Sequence, residues 1–171
     1  MMHCDFSLPS ECTLRKAVSL DTWSIVFVVF KARLDLNQLR WQQFWVIECD
    51  GCLVAFGQLR KFQLAQELGS LYVVKKWRKQ GLGNFLMQHL ISQATQPLYL
   101  KCVNHQLVNF YVKKGFVPVE FNDLPSSLKY KFRLSQARKK FLNGFVVFMK
   151  YQVGFDGNIE RELLLKENNI K

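Results

Sequence analysis

Acidic residues are scarce in this chain. There are 13 Asp and Glu against 24 Lys and Arg in 171 residues, a formal net charge of +11. That imbalance favours a polyanionic partner and says nothing about the fold. Long hydrophobic runs are also missing. The longest, "SIVFVVF", is about a third of what a bilayer-crossing helix needs, so a soluble protein with no membrane partner is expected. No repeat, low-complexity tract or linker interrupts the chain. The five cysteines, Cys4, Cys12, Cys49, Cys52 and Cys102, are odd in number and irregularly spaced. With no secretory leader pattern ahead of them, they suggest a reducing, cytoplasmic setting. Cys49 and Cys52 have the spacing of a redox or zinc pair, but no second Cys or His pair lies nearby to complete a zinc site. The Asp50-Gly51 between them, flanked by "FWVIE" and "LVAFG", instead reads as a two-residue hairpin turn. No metal is expected.

With 49% hydrophobic and 22% charged residues, the chain reads as one globular domain over 1–152 with a polar tail over 153–171 that carries a short helix-like segment. A strand is expected at "CTLRKAV". A buried helix is expected from Asp21 to about Leu34 with Asp21 as its N-cap, and a short helix at "LNQLRWQQ". Strands "FWVIEC", "CLVAFGQL" and "ELGSLYVV" precede a helix from about Gly83 to Ala94, where Leu82, Phe85, Leu86 and Leu90 recur at helical spacing. His89 falls beside that helix's polar stripe and is expected to face solvent. After the strand "PLYLKCV", a second helix begins at Asn104 and stops at Gly115. Two late strands, "FVPVEF" and "GFVVFMKY", bracket a basic helix between Ser126 and Asn143. An early hairpin followed by alternating strands and helices indicates a mixed, predominantly antiparallel α/β sheet flanked by helices.

The stretch "VVKKWRKQGLGN" sets a basic loop between a strand and a helix. A phosphate loop of the G-x-x-x-x-G-K-[ST] type is excluded, because no Lys-Ser/Thr follows Gly83. A G-x-G-x-x-G dinucleotide fingerprint is excluded because its last position is Leu86. What remains is R-x-x-G-x-G, Arg78 to Gly83. Such a loop suits a pyrophosphate: a helix start offers free N–H groups, and glycines let the backbone approach the anion. An ordinary glycine turn before a helix is the plainer alternative.

Some twenty residues later comes N-x-x-x-x-x-F-Y-x-K-x-G-F, from Asn104 to Phe116. Together with R-x-x-G-x-G and the upstream "ELGSLYVV", it resembles the GNAT acetyltransferase superfamily. The resemblance implies a GNAT-like fold and an acetyl-CoA-dependent N-acetyltransferase that passes an acetyl group directly to a primary amine, on a small molecule or a protein. It implies acetyl-CoA bound by Arg78, Lys79, Gln80, Gly81, Leu82, Gly83 and Asn84, with Leu71, Tyr72 and Val73 supplying strand edge and the Val73 N–H facing the oxyanion, and with Asn104 opening the following helix. Tyr111 matches the general acid and Glu67 the general base or water-relaying carboxylate. The plainer readings are a core tyrosine beside Phe110 and an exposed strand-end charge. Lys75 and Lys76 depart from the family pattern, where Pro or an acid is common, and so does the long basic segment before the last strand. A Cys102 nucleophile working with His105 is the weaker reading, since a Cys in an apolar strand usually packs.

No acid occurs between Leu124 and Phe155, against seven Lys and Arg. The competing function is therefore a non-catalytic module of the same fold that sets this basic face on nucleic acid. A solvated face is the bland account. Few aromatics are interleaved with these cations, which weakens the nucleic-acid reading.

Overall fold

The computed structural model describes residues 7–32, 34–35, 38–142 and 144–152. The expected tail over 153–171 lies outside them. The fold is the expected α/β class, and its contacts divide into two compact units that meet in sequence at Leu98 and Tyr99.

The first unit is an antiparallel meander of β1 (Cys12–Lys16), β2 (Phe44–Cys49), β3 (Cys52–Phe62) and β4 (Ala65–Val73). Asp50 and Gly51 both hold positive φ, 49° and 72°, as the tight turn between β2 and β3 requires. Helix α1 (Asp21–Lys31) packs Ile25 and Val29 onto Ala17, Phe44, Val46 and Phe56. Asp21 lies inside the first turn rather than capping it, and its Oδ2 accepts from the Val18 N–H at 2.7 Å. Arg15 ties three elements together. Its guanidinium donates to both Asp21 oxygens (2.7 and 3.0 Å) and to Glu48 Oε2 (2.6 and 2.9 Å). This holds the Asp21 carboxyl below its usual range. The helix is not buried as expected, because Trp23, Phe27 and Phe30 on it are exposed, as is Leu20 just ahead of it. Where a helix was expected at "LNQLRWQQ", the described part is a single 3-10 turn, Trp41–Gln43.

Helix α2 (Leu82–Ser92) buries Leu82, Leu86, Met87 and Leu90, each worth about 2 kcal/mol of apolar burial. It lies so close to β3 that a Cβ on Gly57 would come within 2.6 Å of Leu90 Cδ1. Cys12 and Cys49 face each other across β1 and β2 with Cα atoms 4.0 Å apart and form a disulfide. A reducing setting would not lead one to anticipate that bond. Cys52 pairs with Cys49 across the hairpin and keeps a free, exposed thiol.

In the second unit, β5 (Leu98–Cys102) and β6 (Phe116–Val119) both pair antiparallel with β7 (Val147–Tyr151), which lies between them. A 3-10 turn, His105–Leu107, leads into the short α3 (Val108–Val112). The expected single helix from Asn104 is thus split in two. Gly115 stops it at φ 87°. Helix α4 (Ser126–Leu142) buries Leu128 and Phe132, the latter stacked on Phe148 of β7 with ring centroids 5.4 Å apart.

Candidate acyl-donor site

The end of β4 does not run straight. Phe56 pairs with Tyr72 and Gln58 with Gly69, so Ser70 and Leu71 together oppose Gly57, and Ser70 takes φ 50°. This bulge re-aims the strand before Leu71, Tyr72 and Val73. Tyr72 stacks on Phe56 at 5.5 Å. Arg78 folds back onto the same strand end: its Nε donates to the Val73 carbonyl at 2.9 Å and its Cζ lies 5.6 Å from the Tyr72 ring centre. Between them Lys75–Trp77 form one 3-10 turn, so Lys75 and Lys76 are exposed on its rim.

Lys79 and Gly81 both have left-handed backbones, with φ 63° and 82°. Gly81 immediately precedes α2, and no side chain caps that helix start. The first N–H groups of α2 therefore have no partner within the helix, and the positive end of its dipole opens at Gly81. Gly83 faces Val73, where an added Cβ would sit 3.4 Å from Val73 Cγ2. Asn84 keeps a buried side-chain oxygen without a hydrogen-bond partner among the described residues. Exposed cations, an uncapped helix start and a glycine at its mouth are what a diphosphate needs. The structure thus brings Leu71, Tyr72, Val73, Arg78, Lys79, Gln80, Gly81, Leu82, Gly83 and Asn84 into one strand–loop–helix passage.

Glu67 is elsewhere on β4, and it is not an exposed strand-end charge. It is 2% exposed, and its Oε1 accepts from Nη1 of Arg60 at 3.1 Å; Arg60 is itself 0% exposed. The Arg60 guanidinium also donates to Ser70 Oγ (3.1 Å) and lies 3.7 Å from Asp35 Oδ2. Gly69 makes room for it, since a Cβ there would lie 2.5 Å from Nη1. Arg60, Ser70 and Asp35 were missed in the sequence. The signal was there: an Arg inside the apolar strand "LVAFGQLRKF", opposite a Glu once the β3–β4 hairpin is registered.

In the second unit, Asn104 Oδ1 accepts from the Gln106 N–H at 3.0 Å and so caps the 3-10 turn. Tyr111 on α3 sits edge-on to Phe110 (5.5 Å) and Phe116 (6.1 Å). Burial, with a smaller contribution from Cys102, pushes its phenol well above the ordinary range and keeps it protonated. The Cys102 thiol donates to the Asn104 carbonyl, and burial raises its pKa too, which suits packing and not nucleophilic attack. His105 is exposed with its ring edge-on to Phe145 at 5.7 Å. His89 departs from expectation: it is half-buried against Trp45 at 4.1 Å, and that burial pushes its pKa down.

Residues 40–118, slightly less than half of the chain, match the family model described as an acetyltransferase (GNAT) domain. The chain has the GNAT fold and carries a GNAT-domain signature over that segment. Solved structures agree on the fold. N-acetylglutamate synthase from Neisseria gonorrhoeae, complexed with coenzyme A and N-acetyl-glutamate, is similar over 85% of this chain at 19% identity and a TM-score of 0.63. This chain spans only 36% of that synthase. Rv2747 from Mycobacterium tuberculosis, in complex with CoA, is similar over 82% of this chain and 99% of its own at 18% identity and a TM-score of 0.64. The ribosomal-protein-S18-alanine N-acetyltransferase from Escherichia coli is similar over 86% of this chain and 97% of its own, at 16% identity and a TM-score of 0.56. No curated protein is similar enough to this chain to count as a match.

Proposed function

We propose that the protein is an N-acetyltransferase that takes its acetyl group from acetyl-CoA and passes it directly to a primary amine. The observation that carries this reading is the Arg78–Gly83 loop, where a left-handed Gly81 opens onto the uncapped start of α2. The acetyl-CoA pyrophosphate would rest there on the first N–H groups of the helix, with Arg78 and Lys79 supplying positive charge. Binding of CoA by the Neisseria synthase and by Rv2747 supports the donor, and the amine acceptor of the Escherichia coli enzyme supports the class of acceptor.

Tyr111 is the proton donor in this reading. Its raised pKa keeps the hydroxyl in its donating form across neutral pH, and a departing thiolate needs a proton as the amide forms. The Glu67 role is narrower. Its side chain is buried and its Oε1 is bonded to Arg60, so a proton from the acceptor reaches it only through water. A lysine-like acceptor is mostly protonated at neutral pH, and making it neutral costs roughly 4.6 kcal/mol.

The test is release of free thiol from acetyl-CoA with a panel of amino acids, polyamines and short peptides, alongside calorimetry with acetyl-CoA alone. Micromolar binding and amine-dependent thiol release are expected. A folded protein with no acetyl-CoA binding would sink the reading and leave the nucleic-acid module as its competitor.

A further inference from the structure

Helix α4 has apolar residues on two opposite sides. Leu128 and Phe132 are buried. On the far side Tyr130, Leu134 and Phe141 are 77%, 80% and 75% exposed. At 3.6 residues per turn these three fall within about 40° of one another, in a line along the helix about 160° from the buried pair. Cations border the line on both sides, at roughly 60–100° from its centre, with Arg133 and Lys140 on one flank and Arg138 on the other. Two of them lean over the line's own rings: Arg133 Cζ is 5.4 Å from the Tyr130 centroid and Lys140 Nζ is 5.7 Å from that of Phe141. All three cations are exposed, as is Lys139. No acidic residue occurs on the helix or anywhere between Leu124 and Phe155.

We propose that the outer face of α4 docks on an anionic lipid surface, with Tyr130, Leu134 and Phe141 entering the headgroup–acyl boundary and Arg133, Arg138 and Lys140 reaching the phosphates and carboxylates on either side. An apolar line between two cationic borders is the pattern by which a helix lies in a bilayer interface, and the long cationic stems extend the apolar surface while their heads stay in water. The charge is complementary to acidic headgroups and to nothing neutral. Nucleic acid shares that charge but not the shape. Bases would stack on Tyr130 and Phe141 but leave Leu134 facing water, whereas a lipid surface takes up all three apolar side chains. A lipid surface as partner runs against the sequence expectation of no membrane partner. That expectation rested on the lack of a crossing helix, and among the described residues no helix is long and apolar enough to cross. Lying on a surface needs none.

The experiment uses the full chain and vesicles of phosphatidylcholine with about 30 mol% phosphatidylserine, a composition that gives a negative surface like that of a cytoplasmic leaflet. The protein should pellet with these vesicles, stay in solution with pure phosphatidylcholine, and be released by added salt. Leu134→Ser with Phe141→Ser should weaken vesicle affinity by about tenfold or more. Both side chains are exposed, so the melting temperature should hold. In a separate Phe141→Trp variant, the emission of the introduced indole should shift to the blue on acidic vesicles and be quenched by brominated acyl chains. The proposal is overturned if the chain ignores acidic vesicles at low salt, or if the double serine variant pellets like the parent. It is equally overturned if the emission of the Phe141→Trp variant does not move, if the stripe instead mediates a dimer that the serine changes dissolve, or if the face retains RNA but not vesicles.

Discussion

Gly81 offers a way to separate backbone strain from anion binding at one position. Its φ of 82° and ψ of −15° put it in the left-handed region just ahead of α2. A side chain there costs roughly 1–2 kcal/mol for most residues, and less for Asp, whose short polar group tolerates this region. Gly81→Ala should therefore lower stability by about 1 kcal/mol, a fall of a few degrees in melting temperature for a chain of this size. Gly81→Asp should cost less stability. For acetyl-CoA the order reverses. A carboxylate about 5 Å from a diphosphate charge, at an effective dielectric near 40, repels each unit of charge by about 1.7 kcal/mol. Calorimetry should thus show Gly81→Asp binding at least about tenfold more weakly than Gly81→Ala, the equivalent of roughly 1.4 kcal/mol. The crossing is the signature: Ala is worse for the fold and Asp is worse for the ligand. Two variants with matching affinities, both folded, would refute the loop as a diphosphate bed.

Tyr111→Phe keeps the ring packed on Phe110 and Phe116, so turnover should drop by about 10²–10⁴-fold with acetyl-CoA affinity unchanged. Parental turnover on the true acceptor would remove Tyr111 from the chemistry. The raised Tyr111 pKa also has a linkage consequence: the folded state keeps a proton that the unfolded state loses above about pH 10, so that contribution is present below pH 10 and fades as pH rises. Denaturant titrations at alkaline pH should show a shallower loss in the Phe variant. Cys12→Ser opens a disulfide spanning 37 residues and should cost about 4 kcal/mol by loop-closure entropy, read from urea midpoints without reductant. Glu67→Gln leaves Arg60 buried beside one fewer carboxylate and should destabilise by about 3–5 kcal/mol. If that variant instead melts like the parent but fails to turn over, Glu67 serves the reaction and not the fold.

Features written in a few adjacent residues were legible in the sequence. Asp50-Gly51 announces its own turn, and both residues adopt the positive φ that it demands. The leucines of α2 repeat with the helical period and are buried in that order, while Gly81 and Gly83 mark the loop ahead of them. Features that depend on register were not legible. Arg60 meets Glu67 only because the β3–β4 turn falls at Gln63 and Leu64, and no Gly or Asn there signals a left-handed residue, although Leu64 takes φ 60°. Cys12 meets Cys49 only because β1 lies on β2 in one register and not its neighbour. Shifting a strand by one residue moves every side chain to the other face, so no spacing rule along the chain could have found either pair.

Helices hid a different kind of information. Periodicity shows that a helix has an apolar side, but a helix with two such sides gives no internal sign of which one the core takes. In α1 the core takes Ile25 and Val29 and leaves Trp23, Phe27 and Phe30 outside. In α4 it takes Leu128 and Phe132 and leaves Tyr130, Leu134 and Phe141. Folding energy alone would let selection replace exposed aromatics with polar residues at little cost, because surface substitutions usually change stability by less than about 0.5 kcal/mol. Exposed apolar side chains are common on protein surfaces, so these six, three on each helix, point to a partner only where the charges around them do. On α4 the bordering cations supply the chemistry of the partner. On α1 only Lys31 lies over the line, 6.0 Å from the Phe27 centroid, and no charge pattern comparable to that of α4 accompanies it. Three exposed apolar side chains therefore argue for a partner on one helix and for none on the other.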